Sequence, residues 1–170
     1  TPSPTASVPS PPSSVPPTVT PAPASASAGG VNIYSWLPFT QQGLAAAAAV
    51  TQKFLVDYNT YSYTESAADY VARMNGLITT EEATTLKGLY ATPGVAKIRT
   101  DQKQTSTGTA SITALRTFGP SSLTFIATGT QHLTTAKGSS NGSAQYAVTV
   151  TGSGTSWQVS DIELSSVGQS

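Results

Sequence analysis

The sequence predicts an α+β fold in which three N-terminal helices pack on a bent four-stranded antiparallel sheet. Three observations predict it. Between residues 44 and 90, apolar side chains recur at spacings of three and four, the helical period. From about Lys103 onward the spacing falls to two, the period of a strand with one buried face. Residues 1–30 show neither period. Nine of the 12 prolines lie there, and the first charged residue of the chain is Lys53.

The proline tract comes first in the chain. Proline blocks helix and ladder hydrogen bonding, and so little apolar surface cannot offset chain entropy. Residues 1–30 therefore read as a disordered linker of polyproline-II character, reaching roughly 80–90 Å at ~3.1 Å per residue. It serves either as a tail without a task or as a tether that lifts a folded domain off a membrane or through a cell wall. The tether is the reading preferred here. Ser and Thr between the prolines also suit O-glycosylation. Gly29-Gly30 marks the boundary, and residues 31–170 form the domain. Val31 to Phe39 is an apolar lead-in whose Trp36, Leu37 and Phe39 are expected to dock on it.

The first helix is the longest patterned run, Leu44 to Tyr63, with Thr40 as its N-cap. Leu44, Ala48, Thr51, Leu55 and Tyr58 share one face, and five successive alanines favour the helix. A second helix starts near Ser66, which stands in capping-box spacing with Asp69. Its stripe is Ala67, Tyr70, Val71 and Met74, and Gly76 ends it. Thr79 and Glu82 repeat that spacing before a third helix, whose Ala83, Leu86, Leu89 and Tyr90 are expected to face inward. Pro93-Gly94 is read as its terminator, and Val95–Gln102 as coil or a frayed extra turn.

Four strands follow. Ile112 and Ala114 alternate with polar residues up to Gly119-Pro120. Leu123, Phe125 and Ala127 run on toward Leu133, and Gly138–Ser143 reads as a polar loop. Tyr146, Val148 and Val150 mark the third strand; after Gly152-Ser153-Gly154, Trp157, Val159, Ile162 and Leu164 mark the last. Turn residues between neighbours imply a meander of hairpins. The change of phase between Val159 and Ile162 implies a bulge at Asp161 that bends the last strand.

Composition narrows the function. Only 9% of residues are charged and the formal net charge is zero, so nothing points to nucleic acid or an anionic membrane surface. There is no cysteine, which excludes disulfides and thiolate metal sites. No apolar run approaches the roughly 18 residues of a membrane span. The chain begins at Thr1, so a signal peptide or anchor is expected upstream of it.

Candidate chemistry is sparse. His132, the single histidine, stands at a strand end with no acidic neighbour in sequence. Asp57 lies beside Tyr58, but Lys53 at i−4 suggests a surface ion pair. Asp161 is expected to serve the bulge. Lys97, Arg99 and Lys103, with Asp101 among them, read as a solvated stretch. Asn141-Gly142-Ser143 is a glycosylation sequon. Tyr58, Tyr61, Tyr63 and Tyr70 either line a pocket or pack helix on sheet with their hydroxyls at the rim. No cofactor or metal ligand set is apparent.

The helix-one pattern ending in TYSY, the Pro-Gly after helix three and the closing WQVSDIEL give the chain a family likeness. It resembles the NTF2-like α+β cone, and within it the extracytoplasmic domain of VirB8 and TcpC conjugation proteins and of actinobacterial Mce-associated membrane proteins. The likeness covers about Gly43 to Leu164 and is most specific at Trp157–Ile162. It implies a non-enzymatic scaffold outside the cytoplasm, tethered to a membrane by an upstream segment. Its partners would be proteins of a conjugative or Mce-type transport complex, or further copies of itself. The cone would place Tyr58, Tyr61, Tyr70 and Trp157 around a pocket, so a small-molecule-binding domain is the alternative. An isomerase or dehydratase of the same superfamily is a third reading, disfavoured by the absence of a clustered acid–base set in the sequence.

Overall fold

The structure is a computed structural model and describes residues 37–166. The linker, its boundary near residue 30 and Trp36 lie outside the described residues. Those described residues form four helices and five strands: α1 (Gln41–Tyr58), β1 (Tyr61–Ser62), α2 (Ala67–Ala72), α3 (Thr80–Tyr90), α4 (Pro93–Asp101), β2 (Thr105–Gly119), β3 (Ser122–Thr135), β4 (Gly138–Ser153) and β5 (Ser156–Leu164). The expected α+β architecture is present, with one helix and one short strand more than the sequence suggests.

Thr40 caps α1 as expected, its Oγ1 accepting the Gly43 N–H at 3.0 Å. The fully buried face runs through Gly43, Ala47, Thr51, Phe54 and Leu55. It is turned by one residue at the N-terminal end from the expected stripe, leaving Leu44, Ala48 and Tyr58 half-buried. The cause is proximity: a Cβ added at Gly43 would meet the Gly154 carbonyl oxygen at 2.7 Å. The helix stops at Tyr58, five residues short of the expected Tyr63. Asn59 ends it by donating its Nδ2 to the Leu55 carbonyl at 2.8 Å. There the backbone descends onto the sheet, where a Cβ on Gly108 would lie 2.7 Å from Asn59 Cβ and one on Gly129 2.6 Å from Asn59 Nδ2. Tyr61 and Ser62 then pair with Ser106 and Thr105 as the edge strand β1.

Ser66 and Thr79 cap α2 and α3 from their side chains. The second capping box is half made, because the Thr79 N–H that Glu82 would reach donates to the Val159 carbonyl at 2.9 Å. That bond, and the Val159 N–H to Leu77 carbonyl at 2.7 Å, fasten the α2–α3 link along β5. Two other expectations fail nearby. Leu89 faces outward at 61% exposure. Helix α3 does end before Pro93, as expected, but Pro93 also opens α4, so the stretch expected as coil from Val95 is helical through Asp101; a proline in the first turn lacks only an N–H that has no intrahelical partner there.

The sheet is an antiparallel meander in the order β1-β2-β3-β4-β5. Register shifts leave Thr113 and Arg116 as extra residues in β2. In β5, Val159 pairs with Val150 and Asp161 with Thr149, so the expected bulge is present with Ser160 as its extra residue. The polar stretch Gly138–Ser143, expected as a loop, is the start of β4 instead; Ala136-Lys137 alone make the turn. Thr and Ser are accepted there because β3 pairs them along the whole ladder. Phe54, Leu55, Met74, Leu123, Val148, Val150 and Val159 form the solvent-free centre of the core.

Candidate functional site: a tyrosine-lined cavity

A cavity of about 280 Å³ opens where the C-terminal end of α1 meets α3, α4 and the sheet. Five tyrosines converge on it from five elements: Tyr58 ends α1, Tyr61 lies on β1, Tyr70 on α2, Tyr90 ends α3, and Tyr146 comes from β4. Tyr58 meets Tyr146 edge-on with ring centres 5.7 Å apart, and Tyr61 meets Tyr90 edge-on at 6.5 Å. Tyr70 and Tyr90 stack at 4.1 Å and 16°. Two hydroxyls are used in holding this frame: Tyr70 Oη donates to the Tyr58 carbonyl at 2.8 Å and Tyr90 Oη to the Ser62 carbonyl at 3.2 Å. Leu86, Leu89 and Val95 supply apolar wall.

Arg99 of α4 is the cation of the site. Its guanidinium carbon lies 3.5 Å from the centre of the Tyr90 ring and 5.9 Å from that of Tyr61. Rings stacked at 4.1 Å leave no room between them, so Arg99 covers the face of Tyr90 that Tyr70 does not. Its Nη2 also donates to the Tyr90 carbonyl. Arg73 lies over Tyr70 at 5.5 Å and pairs with Glu65 at 2.9 Å. Burial raises the pKa of all five phenols; Arg99 partly opposes this at Tyr61 and Tyr90. They remain neutral hydroxyls across the physiological range. The Glu82 carboxyl is also raised, by burial first and by Asp161 second. The cavity thus presents ring faces, neutral hydroxyls and one planar cation.

Of the residues expected around a pocket, Tyr58, Tyr61 and Tyr70 share this cavity. Trp157 does not line it: it packs on Phe39 with ring centres 5.5 Å apart and donates Nε1–H to the Gly154 carbonyl at 3.0 Å. That is the opposite end of α1, a helix of 18 residues that is about 27 Å long at ~1.5 Å of rise per residue. Tyr63 is exposed outside the cavity. Asp57 makes the expected i,i+4 pair with Lys53 at 2.8 Å. His132 sits exposed, its Nδ1 2.7 Å from Asn141 Oδ1. Among the described residues, no three His, Asp or Glu side chains converge as metal ligands would.

Tyr90, Tyr146 and Arg99 are the site residues that the sequence reading misses. Lys97 is solvated and pairs with Asp101 at 2.7 Å, as a basic stretch should. Arg99 departs from that reading at 8% exposure, while Val95 and Ile98 of the same helix are 48% and 53% exposed. Helix α4 thus inverts the usual polarity pattern, and nothing in its hydropathy signals this.

No family model matches the chain, and no characterised protein matches it in sequence. Solved structures do match in shape. An IcmL-like type IV secretion system protein from Legionella pneumophila superposes with a TM-score of 0.55 at 9% identity, covering 70% of this chain and 89% of that one. CagV, a VirB8 homologue of the type IV secretion system of Helicobacter pylori, gives 0.55 at 14% identity over 71% of this chain and 96% of that one. A periplasmic fragment of TraM gives 0.49 at 8% identity, covering 70% and 94%. The chain therefore has the VirB8-type fold that the sequence resemblance implies.

Proposed function

We propose that this chain is a non-enzymatic assembly domain of a membrane-tethered complex of the type IV secretion kind, acting outside the cytoplasm. The observation that carries the reading is the fold shared with CagV and the IcmL-like protein across 96% and 89% of their chains. The groups an enzyme reading would recruit are placed otherwise: Asp57 is held by Lys53, and His132 stands at a strand end bonded to Asn141.

The partner-facing surface is the outer sheet face around Thr124, Thr128, Thr149 and Thr151. Thr124 and Thr149 share a hydroxyl hydrogen bond at 3.0 Å, which makes this part of the face a fixed shape. Arg116 flanks the same groove on the β2 side, and Asp161 and Glu163 on the β5 side. A partner that reads such a face needs shape and polar groups spread over many residues. An enzyme concentrates its effect in a few groups, each worth ~10²–10⁴-fold in rate. Complementation in the native host, at matched protein levels, separates the two. Asp57→Asn and His132→Ala should retain activity, while Thr128→Lys and Thr151→Lys should lose it. Loss in the first pair with the second pair silent would overturn the assembly reading.

A further inference from the structure

We propose that the tyrosine cavity is a binding site for a carboxylate carried on a small aromatic or aliphatic body, with Arg99 holding the carboxylate. This goes beyond the assembly reading and does not depend on it.

The first argument is charge. Arg99 is more than nine-tenths buried, yet no ion pair to it occurs among the described residues. Other cations near it are matched: Arg73 by Glu65 and Lys97 by Asp101. A guanidinium carries five N–H donors in a planar fork. Here one nitrogen is bonded to the Tyr90 carbonyl, and the guanidinium carbon lies over the rings of Tyr90 and Tyr61. Ring faces and one carbonyl offset part of the desolvation of a buried cation and leave it without a direct carboxylate partner, since Glu65, which lines the adjacent cavity, is paired with Arg73. A carboxylate matches the fork with two parallel hydrogen bonds and matches the single charge. A phosphate would bring further negative charge to a cavity that presents one arginine.

The second argument is shape. The cavity is bounded on its other sides by Tyr58, Tyr146, Leu86, Leu89 and Val95, which ask for an apolar body. Leu89 and Val95 expose much of their side chains, and a seated ligand would cover them. The volume of about 280 Å³ falls just below the roughly 300–1,000 Å³ of sites for drug-sized ligands, so the body is small. The third argument is the inversion of α4. A helix that shows Val95 and Ile98 and buries its arginine is built against its own hydropathy, and a buried cation with a ligand to meet accounts for that placement.

The probe is 4-phenylbutyrate, with its neutral analogue 4-phenylbutanamide, titrated into the protein and followed by amide chemical shifts. The acid should bind at least about tenfold tighter than the amide. Its shifts should centre on Tyr58, Tyr90, Arg99 and Tyr146. Arg99→Met should reduce the acid to the affinity of the amide, and Arg99→Lys should restore part of the difference. A short peptide ending in phenylalanine, with a free or an amidated C-terminus, distinguishes the source. Tighter binding by the free-ended peptide than by phenylbutyrate would assign the carboxylate to a protein C-terminus. Equal affinity for acid and amide, shifts centred elsewhere, or no saturable shift at millimolar acid would each overturn the proposal. The comparison of acid with amide uses the unaltered protein, so it decides even if the Arg99 variants fail to fold.

Discussion

The inner side of the sheet is built in two ways. Along α1 as far as Leu55, aliphatic and small side chains close on one another: Ala47, Leu55, Leu123, Val148, Val150 and Val159 are all solvent-free. Around the C-terminal end, Tyr58, Tyr61, Tyr70, Tyr90 and Tyr146 meet at ring distances of 4.1 to 6.5 Å and leave about 280 Å³ between them. The difference lies in the side chains. Branched aliphatics interdigitate to the density of a crystal. Tyrosine rings are flat and stiff, and each hydroxyl needs a polar partner or water, so they stand against each other as panels. One helix thereby anchors a closed core at one end and the wall of an open chamber at the other.

The sharpest way to break the comparison is at the closed end. Trp157 is 3% exposed, packs on Phe39 and bonds Gly154. Trp157→Ala should cost ~3–5 kcal/mol, the usual range for a buried large aromatic. Urea denaturation measures it. A loss below about 1 kcal/mol, nearer the range of surface changes, would show that this end relaxes as readily as an open one.

That contrast was only partly legible in the sequence. The closed end follows from local rules. Thr40, Ser66 and Thr79 announce their helices by type and spacing, and each side chain makes its cap in the structure. The period of two in β3 places Leu123, Phe125 and Ala127 inward without knowledge of the rest of the chain. The chamber follows from no local rule. Its five tyrosines come from five elements, and their meeting depends on α1 stopping at Asn59 over Gly108 and Gly129. Close approach of backbone to glycine is a tertiary fact, and the aromatic run Tyr58–Tyr63 looks locally like more helix. Proline misleads in the same way at Pro93, since it suits the first turn of a helix as well as the turn after one. Arg99 was hidden by its charged neighbours, which behave as a solvated stretch while it does not.

Within the chamber the largest stability effect should come from the hydroxyl that fastens it. Tyr70 Oη bonds the Tyr58 carbonyl at 2.8 Å, tying α2 to the end of α1. Tyr70→Phe keeps the ring stack and removes the bond, so it should cost about 0.5–1.5 kcal/mol. A neutral result would mean that ring packing alone sets the chamber's shape.

Glu82 tests the seam between the two halves through pH. It is 6% exposed, and burial, with Asp161 second, raises its carboxyl above the ordinary value of 4.5. A raised carboxyl binds its proton more tightly in the folded chain than in the unfolded one. Its contribution is therefore fully present below the unfolded value and is lost as pH rises through the folded one. Glu82→Gln keeps the shape and removes that loss. The variant should melt higher than the parent at neutral pH, and the gap should shrink as the solution is acidified below the ordinary value. A gap that is constant with pH would place the effect in packing and not in the charge.

The smallest effect belongs to a hydroxyl that faces the open space. Tyr146 packs edge-on against Tyr58 through its ring, and its hydroxyl makes no hydrogen bond within the described residues. Removing it gives up neither apolar contact nor a bond, and it leaves no buried group unpaired. Tyr146→Phe should therefore change stability by no more than about 0.5 kcal/mol, the range of substitutions away from any specific feature. A half-buried tyrosine would ordinarily be expected to use its hydroxyl, as Tyr70 does, so a silent variant is informative: it marks the hydroxyl as facing solvent in a chamber that is open. A loss above about 1 kcal/mol, measured by urea denaturation beside Tyr70→Phe, would show that the phenol is bonded in solution. The chamber would then be closed like the rest of the core, and the difference between the two ends of α1 would disappear.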